Sequence, residues 1–229
     1  MTAGTSLVTT ARVLKWIKFA LALVLLPLCI GAVLALARVV RTTSSADHFW
    51  VAFIGGAICW LVVFLLLPKP MLVYVFGHEL THALWAWLFG GRVKKFKASS
   101  SGGHVVVSRT NFLIVLAPYF FPLYAVLLTA LFALCRVLFG WPHQWVWFHL
   151  LLGAAYSFHL TLTVHILQTR QSDITSQGRL FSAVVIFLGN ISVLLVALPL
   201  LTGRVRLLVA MGWWLHDSGD VLTRLARLF

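Results

Sequence analysis

The chain has 229 residues, 61% of them hydrophobic and only 10% charged, with a formal net charge of +13 from 18 basic and 5 acidic side chains. So little polar surface cannot cover so much apolar side chain in water, which excludes an ordinary soluble globule and points to a bilayer as solvent. The positive charge does not indicate nucleic acid: Lys and Arg flank apolar runs, as Arg12, Lys15 and Lys18 or Arg38 and Arg41 do, where membrane proteins carry them.

In chain order, residues 1–18 read as an amino-terminal tail, disordered over its small and polar first eleven residues. The first apolar run covers 19–37. It ends on Ala35-Leu36-Ala37, which resembles a signal-peptidase site, but its length and the runs that follow favour an uncleaved helix. A second run, 49–67, stops at Pro68 and Pro70, and a third, 71–89, stops at Gly90-Gly91. The pattern then changes. Residues 92–109 hold five basic side chains, alternating positions around Phe96, a Ser/Gly stretch and then Val105-Val106-Val107, which predicts two short strands in a β-hairpin.

A fourth run, 112–137, is interrupted by Pro118 and Pro122. A fifth covers 145–167, and a polar link, 168–179, contains Asp173. A sixth covers 180–201. The remaining tail is amphipathic and reads as an interfacial helix, since Arg206, His216, Asp217, Asp220, Arg224 and Arg227 break up its apolar residues. Trp16, Trp141, Trp145, Trp213 and Trp214 near run ends fit an interfacial belt. Cys29, Cys59 and Cys135 are far apart in apolar runs and form no metal or disulfide framework.

The expected fold is therefore an all-α polytopic membrane protein. It has about six transmembrane helices in one domain over 19–201, a small β-hairpin at 92–109 and a carboxy-terminal amphipathic tail from 202. Lys and Arg divide evenly between the two sides, so charge does not fix the orientation.

The third run carries the chemistry. His78-Glu79-Leu80-Thr81-His82 is H-E-x-x-H. On a helix, residues four apart share a face, so His78 and His82 can hold one Zn²⁺ while Glu79 activates a water beside it. Glu79 is the chain's single glutamate, which makes chance occurrence rare. Polar groups inside an apolar run are also costly to desolvate, and are functional candidates for that reason. A bridging polar cluster without metal is the plainer alternative. A catalytic zinc takes a third protein ligand. Asp173 is the first candidate, and His104, His149, His159 and His165 are the others.

These residues resemble the site-2 protease family of intramembrane zinc metalloproteases. Residues 77–83 look like its metal-binding helix and 92–109, through Gly102-Gly103, like its active-site hairpin. Asn111 with Ala117-Pro118 looks like its Asn and small-residue-Pro stretch, and Asp173 falls where its third ligand is expected. Many members carry Asp-Gly there, whereas Ile174 follows Asp173, and no PDZ-like or nucleotide-binding domain is evident. The resemblance implies a compact member that cuts a membrane protein or peptide in or near a transmembrane segment. His78, His82 and Asp173 would hold Zn²⁺, and Glu79 would be the catalytic base and then acid. The hairpin, including Gly103 and His104, would take up substrate as an added strand, with Asn111 and Asn190 as weaker substrate contacts. A multi-pass location in a bacterial inner membrane suits such a chain. A membrane metal-binding protein or transporter, and an inactive protease-like scaffold, remain as alternatives.

Overall fold

The computed structural model describes residues 2–141 and 146–227. Trp145, expected to open the fifth run, and the last two residues of the tail lie outside that range. The chain is helical except for one two-stranded sheet among the described residues, and it divides into two compact units, Ser44–Arg170 and Met1–Thr43 with Gln171–Phe229.

In the first unit, α2 (Asp47–Leu66) ends just before Pro68, and α3 (Met71–Leu88) begins directly after Pro70. A proline cannot continue the preceding helix but is well suited to start the next. At the far end of α3, Gly90 adopts φ +69° and the Gly91 amide returns to the Ala86 carbonyl at 2.7 Å, a glycine stop.

The hairpin follows as β1 (Val93–Ser99) and β2 (Gly102–Val107). They pair antiparallel with Ala98 opposite Gly103 and Lys97 opposite His104, and a bulge lies between Val93 and Lys95. Next come α4 (Phe112–Leu116), a 3₁₀ turn (Ala117–Tyr119) and α5 (Leu123–Phe139). The fourth apolar run is thus not one straight helix. Pro118 and Pro122 break it, and its halves meet at 82°. The Ala117 carbonyl accepts from the Phe120 amide (3.1 Å) and the Phe121 amide (2.8 Å), so the break satisfies its own backbone.

The unit closes with α6 (Val146–Leu167), which packs along α2. The two backbones touch. The Leu150 carbonyl occupies the place of a Cβ on Gly56, and the Phe53 carbonyl that of a Cβ on Gly153. Lipid tails are as apolar as leucine, so helix pairing in a membrane depends on such close van der Waals approach rather than on escape from water. The Trp60 indole adds a hydrogen bond to Thr161 Oγ1 at 2.8 Å, and Phe132 stacks on Phe148 at 4.0 Å to join α5 to α6.

The second unit contains α1 (Thr2–Thr43), which begins well before the first apolar run. With it are α7 (Ser172–Gln177), a short helix inside what reads as a polar link, α8 (Arg179–Thr202) and α9 (Leu207–Ala226). The amphipathic tail is one continuous helix packed on α1. Arg38 reaches Asp217 at 2.7 Å, and the Trp214 indole donates to the Leu28 carbonyl at 3.0 Å. Gly31 leaves room for Ser218.

Among the described residues, four helices are long and apolar enough to cross a membrane: 13–43 of α1, 48–66 of α2, α6 and α8. A fifth span results if the bent pair of α4 and α5 is one. Of the six runs expected to span, the fourth is bent and α3 falls short of the others in length and apolarity. The eighteen residues of α3 include His78, Glu79 and His82, and it is not among the apolar set.

Gly153→Leu should force α2 and α6 apart and destabilise the protein by about 1–3 kcal/mol or more, as overpacking does; a thermal midpoint in detergent equal to wild type would contradict this contact. Arg38→Ala should leave the buried Asp217 carboxylate without its cation and loosen α9, read as faster tryptic cleavage near Arg206.

Candidate metal centre

The motif lies in the middle of α3, flanked by both hairpin strands, the 3₁₀ turn and α4. Glu79 and His82 are buried and His78 is half-buried. The His78 and His82 rings stand on one face, centroids 5.0 Å apart and nearly perpendicular. Tyr119 of the 3₁₀ turn, fully buried, meets the His78 ring edge-on at 5.2 Å. Thr81, between the histidines, turns its hydroxyl back to the Gly77 carbonyl at 2.7 Å and presents no competing group.

His82 Nδ1 lies 2.8 Å from the Ile114 carbonyl. A carbonyl only accepts, so Nδ1 carries the proton and Nε2 carries the lone pair. This is the arrangement that orients a metal-binding histidine, its second nitrogen tied to a backbone oxygen. The position of Ile114 is itself set locally. Asn111 Oδ1 accepts from the Ile114 amide at 2.9 Å and caps α4, so Asn111 governs the carbonyl that holds His82.

Glu79 is covered by the hairpin. A Cβ on Gly103 would lie 2.7 Å from Glu79 Cγ, 2.7 Å from the Lys97 carbonyl and 2.8 Å from Val75 Cγ1. Glycine is therefore required at 103 by close approach rather than by backbone conformation. Gly77 plays the same part on the other side, where the Tyr124 ring stands 2.7 Å from the place of its Cβ, and Tyr124 donates to the Val73 carbonyl at 2.5 Å. His78 opens onto a small cavity walled by Tyr74, Phe121, Leu123, Tyr124 and Phe158.

Two imidazoles on one face, one of them held in the Nε2 lone-pair tautomer, beside a buried carboxylate, make a donor set that fits Zn²⁺. The other residues singled out in the sequence fall as follows. His104 is exposed on β2. Asp173 is half-buried in the first turn of α7, in the second unit, where the helix dipole favours a carboxylate. Asn190 donates to the Ile186 carbonyl of its own helix at 2.9 Å. Sequence reading did not anticipate the hold of Ile114 on His82 or of Gly103 on Glu79, because each joins segments whose distance apart no local pattern encodes. It also missed a cluster in α9, where His216 Nδ1 lies 3.6 Å from Asp217 Oδ1 and 3.5 Å from Asp220 Oδ2. The i, i+4 spacing of His216 and Asp220 is its sequence signal. Asp217 there is already matched by Arg38.

No family model matches the chain, and no curated protein or solved structure matches it at a significant level.

Gly103→Val should crowd both Glu79 and the Lys97 carbonyl and lower the thermal midpoint in detergent, at a cost of about 1–3 kcal/mol. Gly102→Val should leave Glu79 untouched, because nothing lies within 4 Å of its Cβ position, although φ +140° strains that backbone.

Proposed function

We propose that this protein is a multi-pass zinc metalloendopeptidase of the site-2 protease type, acting on a peptide bond in or near a transmembrane segment, in a bacterial inner membrane. The observation that carries the reading is the H-E-x-x-H face of α3, with Glu79 and His82 buried and His82 Nδ1 bonded to the Ile114 carbonyl. A buried glutamate between two histidines is more than metal storage or transport requires, whereas hydrolysis needs a base there.

His78 and His82 would hold the ion, with Asp173 as third ligand on the strength of its chemistry and the family resemblance. When bound, Zn²⁺ supplies Lewis-acid polarisation of the scissile carbonyl and acidifies water. The Glu79 carboxylate takes the proton from the attacking water and delivers it to the leaving amide nitrogen, so one group serves as base and then acid. Its burial beside Gly103 keeps it out of bulk solvent, and the close fit restricts its rotamers. The hairpin has open strand edges on which an extended substrate can add as a further strand, which presents a peptide bond that a helix would hide.

Purified protein should carry about one zinc per chain, and Glu79→Gln should keep it while losing turnover. His78→Ala and Asp173→Ala should lose the metal. Wild type without zinc, or His78→Ala with full zinc, would remove the basis for the protease reading. Zinc retained in Asp173→Ala alone would leave the motif standing and move the third ligand elsewhere.

A further inference from the structure

His159, on α6, is 7% exposed, and its Nε2 has no hydrogen-bond partner among the described residues. It lines the cavity onto which His78 opens, together with Thr81, Pro118 and the aromatic walls. Burying a polar nitrogen without a partner is unfavourable, and most such groups in folded proteins find one. Trp85 Nε1 and Thr163 Oγ1 are likewise buried without a hydrogen bond among the described residues, but neither residue lines the cavity. His159 combines an unmet hydrogen bond with a place in the wall shared with His78.

The surroundings define what could meet it. Tyr74, Phe121, Leu123, Tyr124 and Phe158 accept apolar groups, and Gly77 leaves backbone rather than side chain on the α3 side. An extended apolar peptide offers both halves of that match: apolar side chains, and one carbonyl oxygen per residue. Water would satisfy the nitrogen but not the aromatic walls.

We propose that His159 is a substrate-contacting catalytic residue. Its imidazole, in the tautomer with the proton on Nε2, donates to the oxygen of the peptide group being cleaved, and the hydrogen bond strengthens as that oxygen gains negative charge. This rests on the peptidase reading above. No bond to His159 forms or breaks, and its proton stays on Nε2 throughout.

The test uses the full chain in detergent with His159→Phe, His159→Leu and His159→Gln, the last retaining an amide N–H at similar reach. Zinc per chain is measured first, then affinity for a phosphinic analogue of a Leu-Leu peptide bond, whose tetrahedral oxygens mimic the charged state. Zinc should stay at the wild-type level in all three. The Phe and Leu variants should bind the analogue about 100-fold more weakly, comparable to removing one oxyanion donor, and Gln should recover most of that loss. On a single-span peptide that wild type cleaves, the loss should fall on kcat more than on KM. Analogue affinity unchanged in Phe and Leu, or absent in zinc-loaded wild type, would overturn the assignment and leave the metal centre intact. Zinc lost from these variants would make His159 a ligand instead, and failure of both apolar variants to fold would make it a packing residue. A wild type that binds no zinc defeats the peptidase reading and this inference with it.

Discussion

Two imidazoles and a carboxylate on adjacent turns of an otherwise apolar helix have to be shielded from hydrocarbon and from bulk water, and the elements around α3 meet that demand. The 3₁₀ turn brings Tyr119 against His78, α4 offers its Ile114 carbonyl to His82, and the hairpin closes over Glu79 at Gly103. These three partners are an aromatic ring, a backbone carbonyl and a glycine, and they bring no charge of their own, which suits a low-dielectric setting where every stray charge is expensive.

The broken helix contributes directly. Had residues 112–137 formed one straight span, α4 would have continued into α5 and its carbonyls would have been engaged along the helix. The prolines instead end α4 after five residues, so the Ile114 carbonyl is available to a side chain, and the Ala117 carbonyl takes up the amides of the turn. Asn111 fixes the start of the same short helix. What looks in sequence like an imperfect span is a device for orienting one histidine.

The helices at 47–66, 146–167 and 179–202 were legible because each is a long apolar run bounded by proline, glycine or charge, and the hairpin because its alternation and Ser/Gly turn have no helical counterpart. The number of spans was less so. Hydropathy records that 112–137 is apolar but not that it bends, and three polar residues lower the mean of α3 without altering its helical form. The short helix at Ser172–Gln177 escaped because six residues with Ile174 as the one apolar member show no periodicity. At the centre, His78, Glu79 and His82 announce themselves by spacing alone. The pairing of Arg38 with Asp217, across 179 positions, and the sharing of one cavity by His78 and His159 depend on folding back of the chain, which no window of sequence contains.

The glycine contact between α2 and α6 has a mechanical corollary. Where two backbones meet at Gly56 and Gly153 there is no layer of side chains able to slide or repack, so this pair behaves as a stiff post. His159 and its aromatic neighbours on α6 inherit that stiffness. If the cavity has to widen to admit a peptide, the yielding must come from the opposite wall. There Phe121 lies at the break between the 3₁₀ turn and α5, tied to the turn through the Ala117 carbonyl, so the geometry sets a stiff jaw against one that sits at an interruption in the helix.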